Sequence, residues 1–173
     1  MREIRRTQEL EGIDALVLPG GESTTIAKLE AAESDFRGSE KHGIFEVIRE
    51  KIIAGLPTWG TCMGSILLAK NIEGSTQGRL AVMDITIRRN AFGAQRWSGE
   101  REIEIPKLGS EPFPALFIRA PIITEVGPEV EVLSRIEVGI VMARQANMLA
   151  TVFHPEVVED MRVHQYFLRI IDG

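Results

Sequence analysis

The chain has 173 residues, with 20 Lys and Arg against 25 Asp and Glu, for a formal net charge of −5. That length suits one domain, because a chain of this size buries roughly 70% of its unfolded surface and needs no staples. Hydrophobic residues at 44% and charged residues at 26% exclude a disordered chain, and the acidic balance excludes nucleic acid as the main partner, since a phosphate backbone calls for a basic face. The single cysteine excludes an internal disulfide and a cysteine-rich zinc site, and it suits a reducing compartment, hence the cytoplasm. No apolar run approaches the ~20 residues of a membrane span. The charged opening Met1-Arg2-Glu3-Ile4-Arg5-Arg6 leads into no apolar stretch, so no signal peptide is expected.

Residues 13–18 are short, apolar and closed by Pro19-Gly20-Gly21, which predicts a buried strand ending in a tight turn. Ser23 or Thr24 is expected to cap a short helix over 26–32, and the polar stretch 33–43 reads as a surface loop. Ile44, Val47, Ile48, Ile52 and Ile53 fall at helical spacing, with Gly55 as the stop. Residues 57–61 predict a strand that runs through Cys62 into a helix over 63–70. From Leu80 the pattern becomes strand-like, over 80–87, 100–105, 115–119, 130–133, 139–144 and 149–153. An amphipathic helix over 157–171 closes the chain. No internal repeat or linker divides these elements. Early strand–helix alternation and a strand-rich second half predict an α/β fold with a mixed sheet and helices on both faces.

The strongest chemical signal is Gly60-Thr61-Cys62-Met63-Gly64, the thiol counterpart of a G-x-S-x-G nucleophile elbow between strand and helix. The turn is sharp, so its flanks must be glycine. The nucleophile sits at a helix start, where free N–H groups favour a thiolate. The Met63 N–H would face a developing oxyanion. A lone cysteine is more often a buried structural residue; the flanking glycines and the strand–turn–helix context favour the nucleophile.

Phe153-His154-Pro155-Glu156 follows a predicted strand, where a sheet presents side chains to a crevice. His154 is placed to take a thiol proton and return it to a leaving group. Across an extended X-Pro step Glu156 would point the same way and orient the imidazole. The competing reading is a strand end with Glu156 favoured at a helix start. The base is expected to act deprotonated and the nucleophile as thiolate, so activity is expected to fall on acidification as the Cys–His pair titrates as a unit, in the window of about pH 5–8 where histidine usually changes charge. His42 sits in the polar loop, and His164 receives no role.

Pro19-Gly20-Gly21-Glu22-Ser23-Thr24 has no P-loop lysine. Its glycines allow close backbone approach to a ligand, and the Gly21 N–H is a candidate second oxyanion donor; a plain strand-to-helix turn capped by Ser23 explains it equally well. Arg89 and Arg119 are candidate carboxylate clamps, since arginine suits bidentate carboxylate recognition.

Taken together, the glycine turn, the cysteine elbow, Arg89-Asn90-Ala91-Phe92-Gly93, Phe117-Ile118-Arg119-Ala120-Pro121 and the His-Pro-Glu end resemble the class I glutamine amidotransferases, and more closely the glutaminase subunits of pyridoxal 5′-phosphate synthase. The resemblance covers nearly the whole chain in order. It implies a flavodoxin-like three-layer fold, with Cys62 attacking the glutamine side-chain amide to form a glutamyl thioester and release ammonia. It implies that His154 and Glu156 complete the triad, and that Gly21, Glu22, Ser23, Arg89, Ile118 and Arg119 line the glutamine site. It implies no cofactor and no metal. The ammonia would pass to a synthase subunit that builds pyridoxal phosphate from a pentose phosphate and a triose phosphate. Family members begin with an apolar strand, a Leu-Gln-Gly turn and a helix, whereas Met1 here precedes what matches their second strand. The expected domain, residues 1–173, is therefore N-terminally short and its sheet lacks the first βα unit. Two further readings are a cysteine hydrolase of the same fold and a non-catalytic docking subunit. The arginine pair separates glutamine from peptide substrates, because a free α-carboxylate needs such a clamp.

Overall fold

A computed structural model describes residues 2–21, 43–91 and 98–173. The expected helix over 26–32 with its Ser23 or Thr24 cap, the loop over 33–42, and the candidate residues Glu22 and Ser23 lie outside the described residues.

After a 3-10 turn at Thr7–Leu10, strand β1 spans Leu16–Leu18. Helix α1 spans Ile44–Ile53 and buries Ile48 and Ile52. It ends where Gly55, at φ +111°, lets the chain reverse, with the Leu56 N–H donating to the Lys51 carbonyl at 2.9 Å. Strand β2 spans Thr58–Thr61 and is buried at every position, as a strand covered on both faces must be. Helix α2 spans Met63–Leu68 and passes directly into strand β3, Ala69–Ile72. The sequence predicts helix through Lys70 and no strand here. The four residues Ala-Lys-Asn-Ile show no period of their own, and only pairing with strand β4, Met83–Arg88, makes them a strand.

The second half carries β5 (Gly99–Ile103), β6 (Phe113–Phe117), β7 (Ile122–Val126), β8 (Glu131–Ile136), β9 (Gly139–Gln145) and β10 (Met148–Thr151). The sequence pattern does not predict β7, because the turn at Ala120-Pro121 masks its start. The last element also differs. A 3-10 turn at Pro155–Val157 precedes helix α3, Arg162–Asp172. Between them Asp160 accepts the Arg162 N–H at 2.9 Å and pairs with its guanidinium, which delays the helix by five residues relative to the predicted start.

The larger sheet has eight strands in the order β1-β2-β10-β9-β7-β4-β3, with β8 pairing β9 off this path, and β5 and β6 form a separate pair. β1, β2 and β10 are mutually parallel, while β9 and β7 run antiparallel to their neighbours. The arrangement is a mixed sheet in a three-layer α/β fold, as expected. Among the described residues, the buried residues of both sheets and of α1, α2 and α3 share one apolar cluster, with Phe113, Phe117 and Phe153 among its largest fully buried members.

The packing of α2 on β1 is set by two glycines. A Cβ at Gly64 would lie 1.9 Å from the Leu18 carbonyl oxygen, and one at Gly60 would lie 2.5 Å from the Gly64 backbone. Neither contact involves a flexible side chain, so relief requires the helix to move away from the strand. Gly64→Ala is expected to lower the unfolding free energy by about 2–3 kcal/mol, read as a shifted denaturant midpoint at constant slope. A loss below about 0.5 kcal/mol, the range of ordinary surface substitutions, would show that α2 can slide freely on β1.

Candidate active site

Three neighbouring parallel strands end on one edge of the sheet. Leu18 of β1 pairs with Gly60 of β2, and Gly60 pairs with Ala150 of β10. Beyond these rungs β1 delivers Gly20-Gly21, β2 delivers Cys62 and β10 delivers His154. The carboxyl ends of parallel strands are where α/β folds form their crevices.

Cys62 occupies the elbow at φ 46°, ψ −104°, a conformation a non-glycine residue holds only when its surroundings enforce it. Its N–H donates to the Thr151 carbonyl at 2.8 Å. Its own carbonyl accepts from the Ser65 N–H at 3.2 Å and from Ser65 Oγ at 2.5 Å. The side chain is a free thiol group, 8% exposed. The Met63 N–H heads α2, directly after the sulfur-bearing residue.

His154 meets Glu156 through Nδ1 at 2.8 Å from Oε1, and its ring lies beside the Cys62 side chain, close enough for the sulfur to raise its pKa. With Nδ1 committed to Glu156, Nε2 is the nitrogen that serves the sulfur. The His154 N–H donates to the Leu116 carbonyl at 2.9 Å, which fixes the backbone under the ring. The interaction with Cys62, then the hydrogen bond to Glu156, outweigh burial and raise the imidazole from 6.5 to about 10. Burial pushes the Glu156 carboxyl up, but the His154 hydrogen bond, its own backbone N–H and the charges of His154 and His164 carry it below the usual range. The imidazole therefore stays protonated through the window in which the sequence expects it to titrate. Glu156 also arrives by a different route. The chain does not continue extended through Pro155 but turns, and the 3-10 turn brings the carboxylate back to the ring.

The sequence singles out Gly21 and gives Gly20 no role of its own, yet Gly20 sits against the His154 ring. A Cβ there would lie 2.5 Å from His154 Cε1 and 3.5 Å from Cys62 Cβ. Gly21 has φ +140°, and a Cβ on it would meet the Met63 methyl at 3.5 Å. The two candidate oxyanion donors, Gly21 and Met63, are thus neighbours across the turn.

Arg89 follows the end of β4. Arg88 pairs with Ile122, so Arg89 leaves β4 at the end of the ladder where β7 begins, and Ile118 and Arg119 lie just before that start in the chain. Asn90 and Arg119 both have positive φ, 48° and 47°. Ile118 is half exposed, and the Arg119 N–H donates to Ser98 Oγ at 3.4 Å. Phe117, just before them, packs on Phe153 with ring centroids 5.8 Å apart, which joins this turn to the strand end that carries His154. Arg89 Nη1 donates to Gln77 Oε1 at 2.5 Å. His164, given no role from sequence, lies edge-on to Trp59 of β2 at 5.1 Å, while the Trp59 indole N–H donates to Thr151 Oγ1 at 3.1 Å. A histidine on the buried side of an amphipathic helix is the signal that could have found it.

A family model described as the SNO glutamine amidotransferase family matches residues 1–172. The chain is 53% identical over 165 residues to the pyridoxal 5′-phosphate synthase subunit PdxT of Carboxydothermus hydrogenoformans, covering 95% of this chain and 82% of that protein. It is 50% identical over 169 residues to PdxT of Moorella thermoacetica, covering 98% and 85%. Among solved structures it is similar to a glutamine amidotransferase at TM-score 0.86 and 42% identity, covering 99% of this chain and 86% of that one. It shares its fold with a glutamine amidotransferase from Thermotoga maritima at TM-score 0.57 and 16% identity, covering 94% and 64%. On the strength of a family match along almost its entire length and relatives at half identity, the chain belongs to the SNO glutamine amidotransferase family.

Proposed function

We propose that the chain hydrolyses L-glutamine to L-glutamate and ammonia through a Cys62 thioester, and delivers the ammonia to a synthase subunit that makes pyridoxal 5′-phosphate. The observation that carries this reading is the set Cys62, His154 and Glu156 brought together at the ends of β2 and β10, with His154 bonded to Glu156 and facing Cys62, in a chain whose relatives are named as PdxT subunits of that synthase. An assembled nucleophile, acid and orienter favours catalysis over docking alone. The arginines beside Ile118 favour an amino-acid substrate over a peptide interior. One shared core supports a single amidotransferase domain. Among the described residues no helix is long and apolar enough to cross a membrane, and the lone reduced cysteine supports a place in the cytoplasm.

In this mechanism the Cys62 proton passes to His154, the resulting thiolate attacks the side-chain amide carbon, and the carbonyl oxygen takes up the electron pair as an oxyanion. The N–H groups of Met63 and Gly21 stabilise that charge. As the C–N bond breaks, His154 Nε2 gives its proton to the departing nitrogen, which leaves as ammonia. Water then attacks the thioester with His154 as base, and glutamate is released with the sulfur restored. Glu156 holds the tautomer and stabilises the imidazolium. Glu22, Ser23, Arg89, Ile118 and Arg119 hold the substrate's amino-acid end.

Cys62→Ala is expected to abolish ammonia release in the presence of the synthase partner while the thermal melt stays near that of the wild type; wild-type turnover in this variant would end the assignment. Glu156→Gln keeps the shape but removes the charge, and kcat is expected to fall by about two to four orders of magnitude, with KM little changed. Gly20→Ala drives a methyl into the His154 ring, so kcat is expected to fall at least about tenfold with the fold retained by circular dichroism.

The raised imidazole sets the pH response. The proton for the leaving nitrogen is present below about pH 10 and is lost as pH rises through that value. Ammonia release is expected to lose its alkaline limb only near that pH. A limb centred at histidine's ordinary ~6.5 would show that neither Cys62 nor Glu156 holds the ring charged. The matching stability contribution is fully present below 6.5 and declines as pH climbs toward about 10. The melting temperature of the wild type relative to His154→Ala should shrink over that interval.

A further inference from the structure

Gln77 lies in the loop between β3 and β4, a segment that no motif in the sequence marks out. Its backbone is tied down on both sides. The Gln77 N–H donates to Ser75 Oγ at 3.3 Å, and its carbonyl accepts from Arg79 Nη1 at 3.1 Å. Arg79 Nε in turn donates to the Lys70 carbonyl at 3.0 Å. The Leu80 N–H donates to the Leu67 carbonyl at 2.8 Å, which anchors the loop on the end of α2. From this fixed base the side-chain oxygen reaches Arg89 Nη1 at 2.5 Å.

The amide's other atom shows what sets its orientation. Gln77 Nε2 is buried and has no hydrogen-bond partner among the described residues. Leaving a buried donor unpaired is unfavourable. Turning the amide over would bring that donor against the guanidinium, which has donors only. The bond to Arg89 therefore dictates the orientation, even with Nε2 left unmatched. Fixing one nitrogen of a planar guanidinium fixes the plane of the whole fork, and bidentate carboxylate binding depends on that plane.

We propose that Gln77 is a positioning residue for substrate recognition, its side-chain oxygen holding the Arg89 guanidinium in the plane that receives the α-carboxylate of the amino-acid substrate. The proposal rests on the reading of Arg89 as the carboxylate clamp. It distinguishes Gln77 from a loop-packing residue, because its effect travels only through Arg89 and only to a substrate that has an α-carboxylate.

The test is steady-state ammonia release by the complex with its synthase partner. Wild type, Gln77→Ala, the similarly sized Gln77→Met, Gln77→Glu, Arg89→Ala and the double variant Gln77→Ala/Arg89→Ala are assayed with L-glutamine. Wild type and Gln77→Met are also assayed with glutamine α-amide, in which the α-carboxylate is a neutral amide. Gln77→Ala and Gln77→Met should each raise KM for glutamine about tenfold, with kcat within about twofold of wild type. Gln77→Glu should raise KM further, since its carboxylate competes for Arg89. With the α-amide, or in the Arg89→Ala background, removing Gln77 should change nothing more. A fall in kcat at constant KM, or an equal penalty with the α-amide, would overturn the proposal and leave Gln77 a loop support. An unchanged KM in Arg89→Ala would overturn the clamp reading, and this proposal with it. Absence of glutamine turnover in the wild-type complex would instead overturn the glutaminase reading.

Discussion

The site depends on three parallel strands stopping together. β1, β2 and β10 are neighbours, and their paired rungs at Leu18, Gly60 and Ala150 put the glycine turn, the nucleophile and the base on one edge. A slip of one residue in any of these ladders would turn its side chains to the opposite face and move Cys62 away from His154. The slip is blocked locally. Gly60 lets α2 approach β2, and Gly64 lets it approach β1 so closely that the Leu18 carbonyl fits only a hydrogen in its path. The Cys62 N–H is bonded to the Thr151 carbonyl, one rung beyond the paired Thr61 and Thr151. The nucleophile's strained backbone is thus held by the strand that carries its base.

The electrostatics follow from this geometry. Burial alone would lower a histidine and raise a glutamate. Here each shift runs the other way, because His154 lies between a sulfur and a carboxylate and interacts with both. The result is a ring held charged beside the Cys62 sulfur at neutral pH, the state that the proposed proton transfer to a departing amide nitrogen calls for. Glu156 can serve because Pro155 turns the chain: an extended step would have sent the carboxylate along the strand direction, whereas the 3-10 turn folds it back onto Nδ1.

The elements that carry chemistry were legible because chemistry restricts sequence. Cys62 between glycines, and His154 with Glu156 two residues on, are patterns that few other constraints produce. Helix α1 was legible because Ile44, Ile48 and Ile52 repeat at helical spacing over ten residues. β3 and β7 were not, because their strand character comes from neighbours distant in sequence. Four residues such as Ala69–Ile72 have too little pattern to compete with the end of a helix. The late start of α3 was hidden for a similar reason. The residues from Val158 to Met161 continue the helical apolar spacing, and only the pairing of Asp160 with Arg162 interrupts it. The specific closeness of Gly20 to the base, and the contact of Gln77 with Arg89, were not legible because each depends on distance to one atom, His154 Cε1 or Arg89 Nη1.

The parallel and antiparallel parts of the sheet divide the labour. Parallel strands β1, β2 and β10 present the candidate nucleophile, its acid–base partner and the glycine turn. The candidate recognition residues stand at the ends of β4 and β6, on turns where Asn90 and Arg119 adopt positive φ. What connects the two groups is α2. It starts at the elbow with Met63 and ends at Leu68, where the backbone receives the Leu80 and Val82 N–H groups and so anchors the loop that holds Arg89 through Gln77. Six helical residues rise about 9 Å, and α2 is buried at every position, so this length cannot flex. A short, wholly buried helix thereby spans from the candidate nucleophile to the segment that carries Gln77.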